Sequence, residues 1–248
     1  MSTIAILWLR QLKRYIRSRS RIIGSLGQPV LFLVALGFGF GPIYQRAGGG
    51  DYMQFLAPGV IAMGILFTAV FSGLEIIWDR QFGFLKETLV APVPRLHIMI
   101  GRSLGGATVA VIQGLIVFCI TFLVGFRPEN FLLVPLALLV MFLIALLFTA
   151  LGTAIASLLE DFQGFQLIMN FLVMPLFFLS GALFPLEGLP KGIAIVARAD
   201  PLTYGVDALR GSLVGMSHFG LGLDLLILTA ITGTLLIIGS YLFSRIQI

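Results

Sequence analysis

Six stretches of the chain, 22–45, 52–74, 103–126, 130–159, 162–186 and 225–244, contain no Asp, Glu, Lys or Arg. Each has at least the roughly 20 residues that a helix needs to cross the hydrocarbon core of a bilayer. A barrel strand would alternate apolar and polar side chains every second residue, and these runs do not. Composition closes off a soluble core. Of 248 residues 58% are hydrophobic and 11% charged, about half the charge with which a soluble domain covers its surface. The reading is an all-α integral membrane chain, one transmembrane domain over 1–248. Its six spans lie at 22–45, 52–78, 98–126, 130–159, 162–186 and 222–244, behind an interfacial helix at 1–21.

That first segment interleaves Arg10, Lys13, Arg14, Arg17, Arg19 and Arg21 with Ile4, Ile6, Leu7, Leu9, Leu12 and Ile16. Cations beside aliphatic residues at this density describe an amphipathic helix in the membrane plane, its basic face toward anionic lipid headgroups. A nucleic-acid arm carries less aliphatic surface, and the apolar run that follows is too long for a cleavable signal. The N-terminal segment, the 75–102 connection and the tail together hold eleven Lys or Arg, whereas the opposite connections hold five: Arg46, Arg127, Lys191, Arg198 and Arg210. This asymmetry predicts both termini in the cytoplasm of a cell whose membrane the chain crosses six times. The net charge of +5 is thus read as a topology signal, and no nucleic-acid partner is expected.

Several chemistries have no residues to carry them. Lys13, Lys86 and Lys191 each lack the glycine that precedes the lysine of a phosphate loop. His97 and His218 have no neighbours at metal-ligand spacing, no hydrolytic Ser, His and Asp set is apparent, and Cys119 reads as a small packed hydrophobe. No enzyme activity, no metal and no cofactor in the chain itself is the expectation. Ion-coupled carriers usually hold ionisable groups at mid-membrane. Here the only acidic candidate near a span, Glu75, reads as a helix-end carboxylate paired with Arg80 or Arg102.

The connection WDRQFGFLKETLVAPVPRLHIMIGR at 78–102 is too long for a passive turn. Phe82, Leu85 and Leu89 fall at i, i+3 and i+7, which predicts a short amphipathic helix over 79–90 with Asp79 near its start. Pro92 and Pro94 close it, because proline cannot donate the helical hydrogen bond.

Four stretches carry a family likeness. FLAPGVIAMGILFTAVFSG at 55–73, FLKETLVAPVPRLHIMIGR at 84–102, and FFLSGALFPLEGLP at 177–190 with DPLTYGVDALRG at 200–211 resemble the permease subunits of ABC-2 type exporters, a likeness that covers essentially the whole chain. The resemblance implies an elbow helix at the N-terminus and a coupling helix between spans two and three. It also implies short re-entrant helices between spans five and six that cap the exit. It further implies a separate ABC ATPase subunit, which binds ATP and Mg and docks on Arg80, Phe82, Phe84, Leu85, Lys86 and Glu87. A second permease copy or paralogue would complete a dimer whose pathway is lined by spans two and five, here by Phe67, Phe71, Asn170 and Met174. The abundance of Phe, with neither Trp nor Tyr in mid-span, favours a hydrophobic or amphipathic cargo (drug, lipid or lipid-linked molecule). A polysaccharide or glycoconjugate exporter, and a carrier not driven by ATP, are the alternatives. Asp207 and Arg210, three residues apart, read as a local helix pair. Gly37 with Gly41 and Gly101 with Gly105 read as tight helix-packing positions.

Overall fold

The computed structural model describes residues 2–48, 50–84 and 93–245, and among these every regular element is helical. Six helices are long and apolar enough to cross a membrane: Arg19–Arg46, Tyr52–Gln81, Arg95–Leu123, Phe131–Leu158, Phe162–Leu179 and Leu221–Ser244. An N-terminal helix, Thr3–Arg17, precedes them, and two short helices, Lys191–Ala199 and Pro201–Val214, lie between the fifth and sixth.

The polar residues that interrupt the apolar runs also start the helices. Asp51 accepts from Met53 N at 2.9 Å, Asn130 from Leu132 N at 2.9 Å, Asp161 from Gly164 N at 2.5 Å and Asp200 from Leu202 N at 2.8 Å. Each satisfies a first-turn donor that would otherwise lack a partner. Breaks within the spans follow from backbone chemistry. Pro29 removes a donor from the first span, which then winds through a π turn at Leu33–Phe38 before resuming as α-helix. The fifth span stops at Leu179, short of the expected 186, and the chain turns at Gly181 with φ 73°, a conformation natural to glycine.

The second span is the axis of the bundle. In its most apolar stretch 78% of residues are buried, against 17% in the first and sixth spans and 22% in the fifth. It packs against the third and fourth spans. Where it crosses the fourth, Gly73 meets the backbone of Gly152, and Gly152 meets that of Val70, so a side chain at either glycine would collide with main chain.

The Gly101 and Gly105 stripe has a different partner from another span. It seats the N-terminal helix: a Cβ at Gly101 would lie 3.0 Å from the Ile4 carbonyl oxygen, and one at Gly105 2.6 Å from Gln11 Oε1. That helix buries Leu7, Gln11 and Tyr15, one residue per turn, against the third span. Trp8 Nε1 donates to Thr108 Oγ1 at 3.0 Å and Tyr15 Oη to Gln113 Oε1 at 2.5 Å. Its buried face is therefore partly polar, whereas Ile6 and Ile16 remain exposed. Cys119 departs from its expected packed position. It is exposed on the third span, because an apolar residue in a bilayer-crossing helix needs no protein neighbour.

Pro201–Val214 is buried from Leu202 to Val214. Gly205 lies against Ile144, about three and a half turns into the fourth span, and near Leu228 of the sixth, so this helix dips among the spans rather than resting on their ends. Burial pushes the Asp200 carboxyl at its start up to about 7, and one of its oxygens has no hydrogen-bond partner among the described residues.

Candidate functional site

Two features distinguish the bundle chemically. One is a charged junction where the N-terminal helix meets the ends of the second and third spans. The other is a small cavity beside Phe67 and Phe71.

The junction is built on Asp79 and Glu75, both in the closing helix segment of the second span, Leu74–Gln81. Asp79 is 4% exposed and accepts from the equally buried Arg102 of the third span. Arg10 of the N-terminal helix reaches its other oxygen at 3.2 Å. Glu75 is met by Arg21 at 3.2 Å and Arg14 at 3.8 Å. Arg14 also lies 5.6 Å over the Trp78 ring, which stacks on Phe162 at the start of the fifth span. Arg80 donates to the Leu159 carbonyl at 3.1 Å and comes within 4.0 Å of Glu160. Four spans and the N-terminal helix are thus tied within two turns of one helix.

This arrangement corrects two expectations. Asp79 does not open a new helix but closes the second span, whose last segment resumes at Leu74 after a turn at Ser72–Gly73 and continues through Gln81 packed against the fourth and fifth spans. The break falls at Gly83, with φ 80°. Glu75 pairs with Arg14 and Arg21 rather than with Arg80 or Arg102, since Arg102 is taken by Asp79 and Arg80 faces the connection between the fourth and fifth spans. Of the expected docking residues, Phe82 and Phe84 are 75% and 52% exposed. Leu85, Lys86 and Glu87 lie outside the described residues.

Phe67 and Phe71 stack with ring centroids 6.4 Å apart and line a cavity of about 200 Å³ between the first and second spans. Its far wall is polar: Arg21, Ser25 and Gln28 from the first span, with Tyr15 at one end. Sequence reasoning missed this wall. Its signal was present as Ser25 and Gln28, hydrogen-bonding side chains placed about one turn apart inside an uncharged run. Asn170 and Met174, the other expected pathway pair, do not line this cavity. They sit on the exposed face of the fifth span beside Leu167, Phe171 and Phe178. An unpaired amide on such a face is costly against hydrocarbon.

At the other end of the bundle, Asp207 and Arg210 do not form the expected pair. Asp207 accepts from the backbone N–H groups of His218 and Phe219 and from the Ser217 hydroxyl, closing the turn before the sixth span. Arg210 donates to the carbonyls of Phe55 at 3.2 Å and Gly181 at 3.0 Å, its guanidinium 3.8 Å from the centre of the Phe55 ring. Backbone groups near the span ends outcompete a neighbour one helical turn away.

Comparison with known proteins places these features in a family. The model of the ABC-2 type transporter family matches residues 2–214. Nodulation protein J of Rhizobium leguminosarum bv. trifolii is 30% identical over 196 residues, covering 78% of this chain and 74% of that one. The inner membrane transport permease YadH of Escherichia coli K12 is 28% identical over 217 residues, 85% of this chain and 82% of its own. The putative transport permease ycf38 of Cyanophora paradoxa is 28% identical over 196 residues, 76% and 66% respectively.

Proposed function

Because this chain belongs to the ABC-2 type transporter family, we propose that it is the permease subunit of an ATP-driven exporter, working with a separate ABC ATPase in the inner membrane of a prokaryotic cell. The observation that carries this reading is the charged junction. The connection that follows Gln81 emerges from a helix end bound to the third span through Arg102 and to the N-terminal helix through Arg10. A force applied to that connection by a docked ATPase therefore reaches three elements together. Phe82 and Phe84 offer exposed rings for such docking, with Leu85, Lys86 and Glu87 beyond them and Arg80 steadying the base. ATP and Mg belong to the partner.

The same reading assigns the Phe67 and Phe71 cavity to an amphipathic cargo, whose apolar part meets the rings and whose polar part meets Ser25 and Gln28. It assigns the exposed face of the fifth span, with Asn170 and Met174, to contact with a second permease copy or paralogue, where an amide can find a partner. Both termini then face the cytoplasm, as the eleven-to-five division of cations supports.

The test is co-expression with an ABC ATPase encoded beside it, followed by co-purification and transport in vesicles. Replacing Lys86 and Glu87 together by alanine is expected to lower ATPase association and transport at least severalfold, with membrane insertion unchanged. Unaltered pull-down and transport would overturn the docking assignment. Transport that persists without any ATPase would establish a carrier not driven by ATP.

A further inference from the structure

Beside the charged junction runs a groove of about 1180 Å³ between the N-terminal helix, the start of the first span and the end of the second. Among the described residues, five cations line it against a single carboxylate, Asp79, which Arg102 and Arg10 already neutralise. Two of the five, Arg10 and Arg14, are held by Asp79 and Glu75. Lys13, Arg17 and Arg19 are exposed and form no ion pair among the described residues. Lys13 and Arg17 are one turn apart, on one face of their helix. Arg19 follows the break at Ser18 and starts the first span, whose first-turn N–H donors add a partial positive charge at the same place. Ser18 and Ser20 add hydroxyls, and Ser18 makes no side-chain capping bond.

The opposite character lies alongside. Ile6, Leu9 and Trp78 form an apolar wall to the same groove. A soluble anion satisfies the cations and leaves this wall unused, whereas an amphiphile with a phosphate at one end uses both. We propose that this groove is a binding site for an anionic membrane lipid, its phosphate held by Lys13, Arg17 and Arg19 and its first acyl carbons laid against Ile6, Leu9 and Trp78. The lipid would fasten the N-terminal helix to the first and second spans where the described carboxylates leave three cations unmatched.

Trp78 makes the site directly testable, because the chain has only two tryptophans. With Trp8→Phe, all tryptophan emission comes from Trp78. In nanodiscs of phosphatidylcholine doped with acyl-brominated phosphatidylglycerol, Trp78 is expected to be quenched more strongly than with equally brominated phosphatidylcholine. Lys13→Gln with Arg17→Gln and Arg19→Gln is expected to lower this preference roughly a hundredfold, at about fivefold per cation facing an anionic lipid. The charge-conserving set Lys13→Arg, Arg17→Lys, Arg19→Lys should retain it, which separates loss of the site from loss of folding. Equal quenching by the two lipids, or a preference untouched by the Gln set, would overturn the proposal. So would displacement of the lipid by inorganic phosphate at equal concentration, which would mark a free-anion site. A Gln set that loses ATPase co-purification while keeping its lipid preference would assign the cations to the ATPase instead.

Discussion

At one end of the bundle Asp79 and Glu75 answer to four arginines on three other helices. At the other end Asp207 and Arg210, three residues apart on one helix, give their bonds mainly to backbone groups of neighbouring segments. The difference is mechanical as well as chemical. Side-chain pairs between separate helices can slide and exchange partners as the helices move, and Arg10, Arg14 and Arg21 are exposed enough to do so. A guanidinium fixed on two carbonyls holds those carbonyls to each other. One end is suited to receiving motion, and the other to keeping a buried helix in place.

The comparison breaks most visibly at Arg102. Arg102→Met leaves Asp79 nearly buried with only Arg10 for a partner, and is expected to cost about 3–5 kcal/mol, Arg10 holding the loss toward the lower figure. The check is thermal unfolding in detergent, and adding Asp79→Leu should recover most of the loss. Next comes Arg210→Met, which takes the Arg210 donor from the Gly181 carbonyl and a second donor from that of Phe55, at an expected cost of about 2–3 kcal/mol. Here Asp207→Asn should give no rescue. A double-mutant cycle with strong coupling between Asp207 and Arg210 would contradict the geometry described. The smallest effect belongs to Arg14→Gln, a half-exposed member of the Glu75 cluster: below about 1 kcal/mol, and shrinking further with added salt.

The spans were legible because crossing a bilayer demands length and absence of charge together, and both are local properties of a sequence. The N-terminal helix was legible as amphipathic for the same reason. Partners were not. Arg10 and Asp79 are 69 residues apart, Arg21 and Glu75 54, and Arg210 and Phe55 155. No periodicity within one helix reports which distant helix will stand beside it. The Asp207 and Arg210 expectation failed in the other direction: local spacing suggested a pair, and tertiary contacts supplied better acceptors. Phe67 and Phe71 were singled out through the family likeness, whereas the polar wall opposite them required knowing that the first span lies there.

The π turn in the first span has a consequence for how the chain tolerates change. A turn closed by i to i+5 bonds holds one residue more than an α turn. Removing one residue from Leu33–Phe38 would let the turn relax into α-helix, keeping Ser25 and Gln28 on their cavity and Tyr44 against Tyr52. The same deletion in the second span would rotate Asp79 away from Arg102 by roughly 100°. The first span thus carries its own slack, a spare residue stored midway, and can shorten by one step without letting go of either end.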